Sequence, residues 1–222
     1  MSDYSATRDR VEDYFDRSAT TVWERLTSDA PVSRIRQTVR EGRDRMRAIM
    51  LSRLPDDLRG CRVLDAGCGT GLMTADLAAR GADVVAVDIS PQLITIAEAR
   101  LSEGLKPRVT FAAGDMTCAS HGRFDFVMAM DSLIYYRTAD IAAALAKVGA
   151  RTADRVVFTV APRTPFLMTF FTLGKAFPRA DRSPTMIPQD WRHLARETAG
   201  KVSRVERVSR GFYISECLEY RP

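Results

Sequence analysis

The chain has 222 residues, 45% of them apolar, and a formal net charge of +5 from 33 basic and 28 acidic groups. That length suits one domain with a sizeable core, and no Pro/Gly/Ser-rich linker divides it; four scattered cysteines without a C-x-x-C pair, beside two histidines, argue against a zinc site or a disulfide framework. The polar N-terminus shows no secretory signal and no apolar stretch approaches the ~20 residues that span a bilayer, so a cytoplasmic protein with reduced thiols is expected, soluble or peripheral on a membrane.

Two helices are expected before residue 54. Val11 to Arg25 carries Tyr14, Phe15, Val22 and Trp23; core packing accounts for Trp23 and is one of two readings of Tyr14. Ile35, Val39, Met46, Ile49 and Met50 then recur at helical spacing, with Gly42 on the same stripe and arginines opposite, which describes an amphipathic helix docked on the sheet edge or the cleft. Residues 1–53 are thus expected to form a helical cap or lid on a core of residues 54–222, one domain overall.

From Leu54 strands (61–66, 83–88, 108–113, 124–130, 154–160) alternate with helices (71–80, 91–103, 138–150). Such alternation implies parallel strands, right-handed crossovers and a ligand at the strands' carboxyl ends. The segment Pro165 to Phe177 is rich in Phe, Leu and Met and is followed by a helix at 188–199, and strands at 203–209 and 212–219 join at Gly211. Charge is uneven: residues 54–150 are net −3 and the two flanks together net +8, a field that suits an anionic substrate or an acidic membrane surface as well as it suits scattered solvation.

The most informative stretch is Asp65-Ala66-Gly67-Cys68-Gly69-Thr70-Gly71, between a buried strand and a helix. Glycines at alternate positions let bare backbone close on a ligand that faces helix N–H groups. A dinucleotide fingerprint would need its third glycine where Leu72 stands, and no Tyr-x-x-x-Lys pair exists, so a nicotinamide dehydrogenase is disfavoured. Three acids end successive strands: Asp65, Asp88 (followed by Ile89) and Asp115 (followed by Met116). Cys68 inside the turn reads as packing. Helix caps and tight turns would explain each feature singly, but the set is more specific than any one of them.

The D-x-G-x-G-x-G form with these acids resembles class I S-adenosylmethionine methyltransferases. The resemblance implies a Rossmann-like α/β fold with a mostly parallel seven-stranded sheet, an antiparallel C-terminal strand and an N-terminal helical cap. It implies a cofactor site of Asp65 near the methionine ammonium, Gly67, Cys68 and Gly69 at the turn, Asp88 and Ile89 at the ribose, and Asp115 and Met116 at the adenine. Tyr14 on the lid and Asp131 after the fourth strand would face the cofactor too. Base-modifying members carry N/D-P-P-Y after the fourth strand, where this chain reads Asp131-Ser132-Leu133-Ile134-Tyr135-Tyr136, so nucleic acid is not expected as a partner. No histidine base or metal cluster stands at the strand ends, and a carboxylate acceptor needs none, because its pKa of about 4 leaves it ionised.

Over nearly its full length the chain also resembles the magnesium-protoporphyrin IX O-methyltransferases. The resemblance rests on Asp13-Tyr14-Phe15-Asp16 with Trp23-Glu24-Arg25, on Arg45-Met46-Arg47, on the glycine motif, and on Asp131 to Tyr136. Phe158-Thr159-Val160-Ala161-Pro162-Arg163-Thr164-Pro165 and Phe212-Tyr213-Ile214-Ser215 complete it. It implies methyl transfer to a propionate of magnesium protoporphyrin IX, with S-adenosylhomocysteine as the other product and with magnesium carried by the substrate rather than the protein. It further implies contact with the magnesium chelatase large subunit and peripheral association with photosynthetic membranes. An apolar disc with carboxylates on one edge calls for greasy walls, for which Phe166, Leu167, Met168, Phe170, Phe171 and Leu173 are candidates, and for cations. Arg163, after the fifth strand, is the expected propionate anchor, ahead of Arg179 and Arg182. Tyr135 stands where many members have histidine and is expected to position the acceptor; Thr27 stands where relatives often have a tyrosine. The competing readings are a methyltransferase of another small acceptor and a noncatalytic cofactor or porphyrin carrier.

Overall fold

Val63, Leu64, Asp65 and Ala66 are all buried, as are Val84 to Asp88, because these strands are covered on both faces, which is why they read as continuous apolar runs. The computed structural model describes residues 3–16, 33–165, 167–168 and 185–222. Trp23, Thr27, Phe166, Phe170, Phe171, Leu173, Arg179 and Arg182 lie outside the described residues.

Seven strands form one sheet: β1 (Arg62–Ala66), β2 (Asp83–Asp88), β3 (Val109–Ala113), β4 (Phe124–Ala129), β5 (Thr152–Val160), β6 (Val202–Arg210) and β7 (Tyr213–Tyr220). Their order is β3-β2-β1-β4-β5-β7-β6; β1 to β5 are mutually parallel, and β7 runs antiparallel to both its neighbours. The expected sheet and antiparallel C-terminal strand are present. Successive residues point to opposite faces, so Val63, Val84, Phe126 and Val157 join one apolar layer while Leu64, Val85, Val127 and Val156 join the other.

The described helices are α1 (Asp3–Tyr14), α2 (Arg34–Leu51), α3 (Leu72–Ala79), α4 (Pro91–Arg100), α5 (Thr138–Gly149) and α6 (Trp191–Glu197). Local chemistry sets several starts: Ser33, Ser90 and Asp190 each accept a hydrogen bond from a first-turn N–H, and Pro91 occupies the first helical position. Helix α1 begins well before the expected Val11, because Asp3 to Arg10 has no apolar periodicity and is held instead by polar contacts to the cleft.

Helix α2 is more than a lid. Met46 and Met50 are fully buried in the same layer as Val157, Val208 and Cys217, so the expected cap divides into α2, part of the core against β6 and β7, and α1, laid across the cleft. Gly42 permits that docking: a Cβ there would stand 2.7 Å from Tyr213 Cδ1 and 3.0 Å from its Cβ. Gly42→Ala is accordingly expected to destabilise the fold by about 1–3 kcal/mol, the range for overpacking a core, readable as a shifted denaturant midpoint.

At the outer edge, a bulge between Arg204 and Glu206 shifts β6 by one residue against β7. Residues 204 and 207 would otherwise alternate faces; with the extra residue both guanidiniums reach Glu216, at 2.6 and 3.1 Å. Glu216 is only 1% exposed, and this pairing is what makes its burial tolerable.

Candidate active-site cleft

The chain order reverses between β1 and β4, and there the strands' carboxyl ends open into a cleft with about 1040 Å³ of empty space, part of it open to solvent. Asp65, Gly67, Cys68, Gly69, Asp88, Ile89, Asp115, Met116, Asp131 and Tyr135, all expected from sequence, line it together.

The glycine turn forms its floor. Gly67 and Cys68 donate their N–H groups to Val87 O at 2.7 and 3.0 Å, which ties the turn to β2. Gly67 and Gly69 have φ of 81° and 55°, in the left-handed region. Asp88 holds the turn as well, its carboxylate accepting from Gly69 N at 2.8 Å and Ser90 N at 3.0 Å. Burial raises the Asp88 carboxyl to about 6 despite these bonds. Asp65 accepts from Thr74 Oγ1 at 2.6 Å, and burial pushes it up to about 7, with the Asp88 charge adding to the rise. Burial likewise raises the Cys68 thiol well above its usual range, so this cysteine packs rather than attacks.

Helix α1 covers the β2–β3 side. Tyr4, Arg8, Val11 and Phe15 recur at helical spacing and line the cleft. Tyr4 donates its OH to Asp115 Oδ1 at 3.1 Å and stacks on Tyr136 with centroids 4.8 Å apart; Arg8 Nη1 is 3.5 Å from Asp115 Oδ2. Burial opposes ionisation of Asp115, but hydrogen bonds from Thr117 and Tyr4 and the Arg8 charge outweigh it and hold the carboxyl below its usual range. At the far end of α1, Ser90 Oγ donates to Asp16. Tyr14 does not line the cleft: adjacent helical residues point ~100° apart, and Tyr14 instead meets Phe15 edge-on at 5.3 Å.

On the β4 side Asp131 adopts φ 57°, and its N–H donates to Thr159 Oγ1 at 2.8 Å. Its carboxylate accepts from Thr159 Oγ1 and Tyr213 OH, both at 3.1 Å, and pairs with Arg43 Nη1 at 2.5 Å. Tyr135 lies beside this group and meets Phe15 edge-on; burial, then the Asp131 charge, raises its phenol, which stays a proton donor. Ser132 also lines the cleft, and its Oγ is buried with no hydrogen-bond partner among the described residues.

Arg163 is outside this assembly. It is exposed, and its N–H donates to Gln189 O at 2.8 Å. Buried Gln189 also donates to Tyr136 O at 2.9 Å and bridges to Pro162, just after β5. The sequence reading missed Tyr4, Arg8, Arg43, Arg47 and Tyr136. The 4-8-11-15 spacing on α1 was the available signal for the first two. Among the described residues no group of three or more His, Cys, Asp or Glu could hold a metal ion, and no helix is long and apolar enough to cross a membrane.

A family model for the magnesium-protoporphyrin IX methyltransferase C-terminus matches residues 129–222, and one for a methyltransferase domain matches residues 63–154. The chain is 63% identical over 222 residues, 100% of its own length and 99% of the relative's, to the magnesium-protoporphyrin O-methyltransferase of Rhodobacter capsulatus. It is 28% identical over 220 residues, 96% of this chain and 70% of the relative, to the chloroplastic magnesium protoporphyrin IX methyltransferase of Arabidopsis thaliana. Its structure is similar to the crystal structure of magnesium protoporphyrin IX methyltransferase from Synechocystis PCC 6803 with bound SAH, with a TM-score of 0.80 at 26% identity, covering 96% of this chain and 99% of that one.

Proposed function

The chain belongs to the magnesium-protoporphyrin O-methyltransferase family, and from that membership we infer how its cleft performs the reaction. The protein methylates a propionate carboxylate of magnesium protoporphyrin IX with S-adenosylmethionine, giving a methyl ester and S-adenosylhomocysteine. The full-length likeness to the Rhodobacter capsulatus enzyme carries this reading.

The cleft suits that cofactor by its own chemistry. A Cβ at Gly69 or Gly114 would meet nothing within 4 Å, so both glycines leave open the space a ligand needs, and Ser132 Oγ waits for a partner there. We assign Asp65 to the methionine ammonium, Asp88 and Ile89 to the ribose, and Asp115 and Met116 to the adenine. When bound, S-adenosylmethionine supplies an electrophilic methyl on sulfur. The chain's own part is to align the acceptor, exclude water and hold charge, and alignment alone is worth ~7–11 kcal/mol in well-oriented systems. No base is required, because a propionate with a pKa of about 4 is already ionised at neutral pH. Tyr135, its phenol protonated, is assigned to donate a hydrogen bond to the acceptor.

Spectrophotometric titration with magnesium protoporphyrin should shift the Soret band, and addition of the methyl donor should yield the ester. A shift without ester would make the protein a carrier, and neither under reducing conditions would reject the assignment.

Asp65 also gives the binding a pH dependence. Without an ammonium partner it keeps its proton to about pH 7, whereas an unfolded chain loses it near 4, so this group stabilises the fold below about pH 4 and that contribution is lost as pH rises to about 7. An ammonium ligand favours the ionised form. Cofactor affinity is therefore expected to rise with pH through about 7, followed by calorimetric titration, and a flat profile would remove Asp65 from the ammonium site.

Two further contacts are proposed. The basic flanks suit peripheral association with an acidic photosynthetic membrane, and transfer of an apolar substrate suits contact with the magnesium chelatase large subunit. Co-sedimentation with anionic vesicles tests the first.

A further inference from the structure

Arg163 stands outside the cleft, which raises the question of which cation within it could meet the acceptor carboxylate. Among the described residues three arginines line the cleft walls: Arg8, Arg43 and Arg47. Arg8 stands over Asp115 at the β3 end, and Arg47 is bound by Asp44 at 3.0 Å and by Asp76 at 2.8 Å, beside α3 and the glycine turn. Arg43 is one turn before Arg47 on the same face of α2 and meets the carboxyl end of β4, next to Ser132 and Tyr135.

We propose that Arg43 is the cation that seats the acceptor carboxylate, and that Asp131 is the positioning residue that aims it. The proposal rests on the methyltransferase reading above and adds the residue that recognises the acid. The geometry around Asp131 has the form of an orienting device. Its left-handed φ is rare for a residue with a side chain and persists only where the surroundings fix it. Here they do so through Thr159, fully buried, and Tyr213, 9% exposed, which together with the Asp131 backbone N–H account for three hydrogen bonds. Both hydroxyls meet Oδ1 at 3.1 Å, Tyr213 OH also reaches Oδ2 at 3.4 Å, and Arg43 meets Oδ2, so that oxygen is turned toward α2. Gly42, immediately before Arg43, leaves the space that Tyr213 occupies. The Gly42-Arg43 step thus admits the tyrosine that holds the acid that holds the arginine. A long side chain anchored in this way loses less freedom when a carboxylate arrives, and a planar guanidinium presents paired N–H groups to it.

The test compares magnesium protoporphyrin with its dimethyl ester, which has the same ring and no free carboxylate. For Arg43→Gln, affinity for the diacid is expected to fall at least about tenfold, with affinity for the diester and for S-adenosylhomocysteine held within about twofold. Arg43→Lys, which keeps the charge and the stem, is expected to recover part of the preference for the diacid. Asp131→Asn keeps an oxygen for Thr159 and Tyr213 and removes the charge; it is expected to bind the diacid within about threefold and to lose at least about tenfold in kcat, the mark of an acceptor bound but misaligned. Equal losses for diacid and diester in Arg43→Gln would overturn the assignment in favour of simple packing. A loss confined to S-adenosylhomocysteine would overturn it in favour of a cofactor anchor, and an unchanged kcat in Asp131→Asn would overturn the positioning role. Failure of the unmodified chain to methylate magnesium protoporphyrin would instead remove the functional reading itself.

Discussion

A Gly67→Ala chain is expected to lose cofactor binding altogether and to be less stable by roughly 2–5 kcal/mol. The estimate joins two penalties. At φ 81° a side chain forces a left-handed backbone, and the new Cβ would stand 2.4 Å from Ser132 Cβ, an atom close to the backbone that cannot swing aside. Relief requires the turn to lift off Val87 O or the β4 end to retreat, and either motion takes the floor of the cleft with it. Denaturant unfolding and calorimetric titration with S-adenosylhomocysteine read the two effects separately. A variant with the parent's midpoint and affinity would show that the turn is not fixed as described.

Asp88→Ala is expected to weaken cofactor binding by about 1.5–3 kcal/mol, or roughly ten- to hundredfold in dissociation constant, the scale of losing hydrogen bonds to a charged acceptor. It removes two functions at once, since the carboxylate is assigned to the ribose and also holds Gly69 N and Ser90 N. Asp88→Asn keeps one acceptor oxygen and is expected to fall between alanine and the parent. Unchanged affinity for Asp88→Ala in calorimetry would exclude Asp88 from the site.

What could be read from sequence is what is local. The apolar runs of β1 and β2 show because both faces of those strands are buried, and the acids show because a sharp turn follows each strand at its carboxyl end. Tyr14 was a local choice that failed on phase: the lining residues of α1 follow 4, 8, 11 and 15, and Tyr14 is one step off that row. Arg163 stands off the cleft for a longer-range reason, because Gln189, 26 positions later, binds its backbone N–H and Ala161 O just after β5. The Arg43–Asp131–Tyr213 group joins residues 88 and 82 positions apart, and no window of sequence holds both partners.

The bulge in β6 has a consequence for how the protein behaves in concentrated solution. An outermost strand presents unpaired N–H and C=O groups on which another copy could extend the sheet. Here the register breaks midway, so an approaching second molecule would meet a kinked ladder. Extension of the sheet by a further strand at this edge is thereby discouraged.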